Sequence, residues 1–241
     1  MRKRRSFLLH LIFLTTSSLY CMASPIEVEE LCKETKEFFS HEMEKLDQMT
    51  GNYEDKESVI RCLDQMVLID QTLRTKHGLI PYALQESAEE REIWSLVEQI
   101  DQRSSREVAK MMEVHTWFPI SEFGEEASRK AWLLVQHSTD TNLQYKVLFL
   151  LDYFSRIGEV SLKNYAYLYD RLTLQFSAIK QLYGTQFVGK ENSEAYYLAP
   201  YLGSLEEVEE RRRELGMSSL AEYAKVMEEG YRRKVILDSA D

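Results

Sequence analysis

Residues 125–138 read EEASRKAWLLVQHS, and the centre of that stretch, Ala131-Trp132-Leu133-Leu134-Val135, is apolar on every side of a helix. A helix with no polar face is enclosed by other elements, so this one belongs inside a packing of helices. The rest of the chain agrees. Only 9 Gly and 4 Pro interrupt 241 residues, a scarcity that favours long helices over tight turns. Towards the N-terminus the pattern predicts helices over 26–49, 56–76 and 87–114, each with an apolar stripe at helical spacing. Thr50-Gly51-Asn52 ends the first, His77-Gly78 with Pro81 ends the second, and Trp117-Phe118-Pro119 turns the chain after the third.

Towards the C-terminus a helix is expected over 142–156, stopped by Gly158. Residues 172–187, LTLQFSAIKQLYGTQF, alternate apolar and polar on either side of Ser177-Ala178, which reads as a β-hairpin. Tyr196-Tyr197-Leu198 would add a short strand. Ser204 with Glu207 forms a capping box for a helix reaching Leu215, and a last helix is expected over 219–237. The fold class is therefore mainly α: one multi-helix domain, residues 24–241, with a small hairpin near residues 172–187.

Composition sets the outer limits. The chain is 44% apolar and 29% charged with a net charge of −10, which excludes collagen-like and largely disordered classes and disfavours nucleic acid as a partner. Met1 to Arg5 (MRKRR), a short apolar run from Phe7 to Leu19 and the small residue Ala23 read as a cleaved secretory signal over residues 1–23. That run is too short for a helical membrane span, which takes roughly 20 residues. The expected location is the periplasm or the exterior; an uncleaved N-terminal anchor is the alternative. A lipoprotein reading at Cys21 is weaker, because bulky Tyr20 precedes the cysteine. Cys32 and Cys62 would remain after cleavage, as a pair or as buried thiols.

Four stretches place polar groups in apolar surroundings. Asp70 and Arg74, flanking Gln71, lie four apart on one helix face. Gln136-His137 closes the all-apolar helix, with Gln144 two turns on if the helix is continuous. Asp140 is expected to cap the following helix. Asp170-Arg171 comes just before the expected hairpin, and Gln181, Tyr183, Gly184, Thr185 and Gln186 lie on its second strand. Gly184 inside a strand signals a bulge or a close backbone approach. The basic run Arg211-Arg212-Arg213 reads as a solvated face paired with Glu207 and Glu209.

Taken in order, these stretches resemble a bacterial family catalogued as a domain of unknown function. Its pattern runs Asp-Gln-x-x-Arg, Gly-Trp-Pro, Gln-His, Asp-Arg, Gln-x-Tyr-Gly-Thr-Gln, then Arg-Arg with Gly-Leu, and Glu-Tyr. Here the matching residues are Asp70-Gln71 with Arg74, Trp117-Phe118-Pro119 with Phe118 inserted, Gln136-His137, Asp170-Arg171 and Gln181 with Tyr183 to Gln186. Arg211-Arg212 with Gly216-Met217, and Glu222-Tyr223, complete the series. The resemblance covers roughly residues 70–223 and implies a shared site without naming its chemistry.

Two functions follow as expectations. In the first, an enzyme of hydrolytic or group-transfer type uses His137 as general acid/base, because imidazole titrates nearest neutrality. Asp170 or Asp70 would orient it, Arg74 or Arg171 would hold an anionic group, and Tyr183 with Gln186 would supply hydrogen bonds. Arg212, Gln181 and Gly184 complete the expected binding set. No activated serine or threonine nucleophile is evident, so water is the attacking group. The partner would be a small molecule or peptide. No HExxH, phosphate loop or His pair at i, i+4 occurs, so neither cofactor nor metal is expected. In the second, the same groups form a buried hydrogen-bond network in a non-catalytic binding or scaffold domain.

Overall fold

Nine α-helices and three short strands make up the described residues of the computed structural model, which are 25–84, 86–175, 179–190, 193–231 and 233–239. The expected export signal and the turn at Ser177-Ala178 lie outside them. Among the described residues no helix is long and apolar enough to cross a membrane.

The chain divides into two compact units. Within its described residues, the first comprises 25–150 and 158–160. Here α1 (Pro25–Met49), α2 (Lys56–Gly78), α3 (Ala88–His115) and α5 (Glu125–His137) pack on one another, with the single turn of α4 (Ile120–Phe123) against α5. Two of these starts carry a side-chain cap. Asp55 accepts the Ser58 N–H at 2.9 Å to cap α2, and Ser87 accepts the Glu90 N–H at 3.1 Å to cap α3. The core is aliphatic: Leu46, Leu63, Met66, Ile69, Val97, Ile100 and Met111 are fully buried. Ala131 to Val135 are all buried too, as the pattern without a polar face requires. Cys32 and Cys62 are buried free thiols, and burial pushes them up to about 11 and about 12, which keeps them protonated and unreactive.

The helix does not run from His137 into Gln144. It stops at His137, and Asp140 accepts the Asn142 and Leu143 N–H groups to start α6 (Thr141–Arg156), as expected of a cap. Helix α6 supplies residues to both units.

The second unit, within its described residues, comprises 151–157 and 161–239. It holds α7 (Leu162–Thr173), α8 (Leu205–Glu214), α9 (Leu220–Tyr231) and a sheet of β1 (Phe187–Gly189), β2 (Tyr196–Leu198) and β3 (Val235–Ser239). Strand β1 pairs antiparallel with β2, and β2 pairs parallel with β3. Phe187, Leu198, Val208, Leu220, Tyr223 and Met227 form its core. The capping box of Ser204 and Glu207 opens α8 as expected.

The β element is displaced from its expected position at residues 172–187. Helix α7 continues to Thr173, and the hairpin is formed by β1 and β2 over 187–198. The alternation of 179–186 arises from an irregular segment whose backbone is held by side chains. The last helix ends at Tyr231 rather than Leu237, and the chain finishes as β3. Val235 and Leu237 lie two apart, the period of a strand, and pairing of this segment with β2 decides its conformation.

Candidate functional site

In the first unit, α2, α3 and α5 bring a set of polar side chains into the helical core. Asp70 and Arg74 stand one turn apart on α2, and the Arg74 Nε donates to Asp70 Oδ1 at 2.7 Å. Arg74 Nη2 donates to Asp101 Oδ1 on α3 at 2.5 Å, so one guanidinium spans two carboxylates. His137, in the last turn of α5, sets Nδ1 at 3.0 and 2.9 Å from the two carboxylate oxygens of Asp70. Gln71 Nε2 donates to Asp70 Oδ2 at 2.7 Å. Depth is the notable property: Asp70 is 1% exposed, His137 2% and Arg74 3%.

The electrostatics follow from this packing. Burial alone pushes the Asp70 carboxyl upward, but Arg74 and His137 beside it win, and hold it below the ordinary carboxylate range. Burial pulls the Arg74 guanidinium down, and Asp101 and Asp70 more than restore it. A buried ion pair of this kind is stable only with its bonds satisfied. Arg74 Nη1 is buried and has no hydrogen-bond partner among the described residues.

Oxygens of Asp70 and Asp101 and a ring nitrogen of His137 lie within 4.8 Å of one another, a spacing that could hold a cation. Arg74 already bridges both carboxylates, so its guanidinium supplies the positive charge that a metal ion would bring. A metal there would have to displace it.

Around this centre the ends of α5 and α6 are tied together. Ser105 donates to the Asp101 carbonyl at 2.6 Å and its hydroxyl lies 2.7 Å from that of Ser138. Ser138 accepts the Asp140 N–H at 3.0 Å. Gln144 Nε2 donates to the carbonyls of Val135 and Ser138 at 3.1 and 3.0 Å, meeting acceptors that the helix end leaves open. Gln144 thus reaches the site by closing α5, not by sharing a helix face with His137. Gln136 is buried on the same last turn.

The second unit holds a different arrangement, built on Asp170 near the end of α7. Its carboxylate accepts the N–H of Leu182 at 2.8 Å, of Tyr183 at 3.2 Å, of Thr185 at 3.0 Å, and the Thr185 hydroxyl at 3.0 Å. The carbonyls of the same segment are met from the other side. Arg211 Nε donates to Leu182, Arg212 Nη1 to Tyr183, and the Tyr223 hydroxyl to Thr185, at 2.7, 2.7 and 3.1 Å. Gln181 Oε1 accepts the Gln186 N–H at 2.9 Å, and its Nε2 donates to the carbonyls of Gln186 and Ala199. Gly184 sits at φ +64 beneath Leu220 and Val208, the close approach that a glycine in this context implies.

Here burial dominates. It pushes the Asp170 carboxyl up to about 6 despite the four donors, because those donors are neutral. The Asp170 oxygens are spent on Leu182, Tyr183 and Thr185, and it is Asp70 that orients the imidazole of His137. Arg212 is 1% exposed and Arg211 donates to two carbonyls, so this basic run is not the ion-paired solvated face its spacing suggested. Arg171 is buried on α7.

Asp101, Ser105, Arg211 and Tyr223 were missed as network members. Asp101 carried a readable signal. It lies four residues after Val97 and seven before Val108, on the apolar stripe of α3 where a charge is costly unless paired.

A family model, described as a family of unknown function (DUF6624), matches residues 59–236. The chain belongs to that family. The match spans both networks, from α2 to β3. No curated protein and no solved structure matches the chain.

Proposed function

We propose that this member of the family is an exported acid–base protein, of hydrolytic or group-transfer type, that acts on a small molecule or peptide through His137. The observation that carries the reading is the Asp70–His137 pair. Both carboxylate oxygens lie on Nδ1, so Asp70 fixes the ring and stabilises its protonated form, and proton exchange with a bound molecule falls to Nε2. Arg74, with His137, holds Asp70 in its ionised state, and Asp101 fixes the guanidinium of Arg74. Arg74 Nη1, buried with no acceptor among the described residues, suits an oxygen of the bound molecule. Ser138 is tied to Ser105 and to the Asp140 N–H, which supports water rather than a side-chain nucleophile.

A second reading, a non-catalytic domain locked by this network, is favoured by depth: His137 and Asp70 are almost without exposure. One comparison separates the two. Purified wild type and His137→Gln are assayed on p-nitrophenyl ester, p-nitrophenyl phosphate and dipeptide substrates, alongside thermal melting. Turnover by the wild type that disappears in His137→Gln, with the melting temperature kept, supports the acid–base reading. Turnover that survives the substitution, or a variant that only melts earlier, refutes it.

A further inference from the structure

We infer that Tyr165, Tyr169 and Tyr183 form a binding site for a neutral, polyhydroxylated ligand, a sugar or short glycan. This site uses different residues from the His137 centre, and the inference does not rest on the function proposed above.

Tyr165 and Tyr169 are four apart on α7, so they share one face of that helix; their ring centroids are 6.0 Å apart. Tyr183 meets Tyr169 edge to face at 6.3 Å. All three side chains are partly exposed. The Tyr183 backbone is fixed from both sides, its N–H by Asp170 and its carbonyl by Arg212. Both backbone groups of Tyr183 are therefore bonded, which fixes where its side chain leaves the segment.

The three phenols belong to one run of ring contacts, from Tyr165 to Tyr169 to Tyr183. None of them makes a hydrogen bond among the described residues. Burial pushes the Tyr183 phenol up to about 12 and that of Tyr165 upward as well, so both remain neutral donors and acceptors at ordinary pH.

The charged groups that face these rings are already committed. Arg156 is paired with Asp152 at 2.9 Å. Arg211 donates to the carbonyls of Leu182 and Leu202. Asp170 accepts from Leu182, Tyr183 and Thr185. Among the described residues, the charges that act on Tyr165 and Tyr183 are therefore not available to an ionic ligand. A sugar fits what is left: its hydroxyls donate and accept as the phenols do, and its C–H faces pack against aromatic rings.

The test is calorimetric titration of the full-length protein with maltotriose, cellotriose and chitotriose, with inorganic phosphate as the ionic control. The double variant Tyr169→Phe/Tyr183→Phe keeps both rings and removes two hydroxyls that bond to none of the described residues, so its melting temperature should equal that of the wild type. At least one of the sugars should bind, and the double variant should bind it about tenfold more weakly or worse, as loss of two hydrogen bonds predicts. Three results overturn the inference: no binding of any of these sugars at millimolar concentration, equal binding by the variant, or binding of phosphate in their place.

Discussion

Gly184 gives the most direct check on the second unit, because a neighbouring glycine serves as its control. Gly184 sits at φ +64, and a Cβ added there would lie 2.7 Å from Leu220 Cδ2 and 3.1 Å from Val208 Cγ1. Both neighbours are core side chains, 1% and 0% exposed, with little room to retreat. Gly216 has nearly the same backbone, φ +63, with nothing within 4 Å of its added Cβ. The left-handed conformation costs a non-glycine residue about 1–2 kcal/mol, and overpacking a core adds about 1–3 kcal/mol. Gly216→Ala should then lose about 1–2 kcal/mol and Gly184→Ala about 2–5 kcal/mol. At about 2–4 °C per kcal/mol for a chain of this size, the two melting temperatures fall by roughly 2–8 and 4–20 °C. Thermal melts followed by circular dichroism read both. Equal drops, or a smaller drop for Gly184→Ala, would refute the claim that backbone and core meet at Gly184.

Asp170 predicts an unusual pH dependence. Its carboxyl is raised from 3.8 to about 6 in the folded chain, so the stability it contributes is complete below 3.8 and is lost as pH rises through about 6. Between about pH 4 and about pH 7 this group should remove about 3 kcal/mol from the wild type. The variant Asp170→Asn cannot titrate, and its urea-unfolding free energy should lack that decline; identical slopes would contradict the burial argument. Arg74→Met leaves Asp70 and Asp101 buried without the guanidinium that bridges them, and should cost about 3–5 kcal/mol at neutral pH. Protonating the carboxylates relieves their repulsion, so the deficit in urea midpoint should shrink as the solution is acidified; an unchanged midpoint at neutral pH would remove the bridge from the account.

The helices were legible because their signals are local. An apolar stripe, a cap and a stop lie within a few turns of each other, and α1, α2, α3, α5 and α6 begin and end within two residues of their expected bounds. The hairpin was misplaced because period two is not unique to strands. Residues 181–186 alternate, yet the N–H groups of Leu182, Tyr183, Thr185 and Gln186 go to the side chains of Asp170 and Gln181, not to a neighbouring strand. No local pattern announces that a carboxylate twelve or more residues upstream will take those donors. The same limit applies to β3, whose partner β2 lies some forty residues earlier in the chain. Asp101 shows the opposite case, a long-range partner that its place on an apolar stripe could have disclosed.

The two buried aspartates show how far simple spacing reaches. Asp70 and Asp170 are each followed by an arginine, Arg74 at i+4 and Arg171 at i+1. On a helix the first arrangement puts the guanidinium on the face of the carboxylate, and the second turns it to another side. The consequences are opposite. Asp70 receives a guanidinium and an imidazole and is held below the ordinary range, whereas Asp170 receives neutral N–H and O–H donors and is raised. A carboxylate kept ionised beside an imidazole suits proton transfer, and one close to its titration point among backbone donors suits holding a segment in place. In the proposed function the acid–base role therefore goes with Asp70, and Asp170 belongs with the scaffold that holds the Tyr183 backbone. Exchanging the roles would require a positive group at hydrogen-bonding distance from Asp170, and the groups bonded to its carboxylate are the N–H donors of Leu182, Tyr183 and Thr185 and the Thr185 hydroxyl.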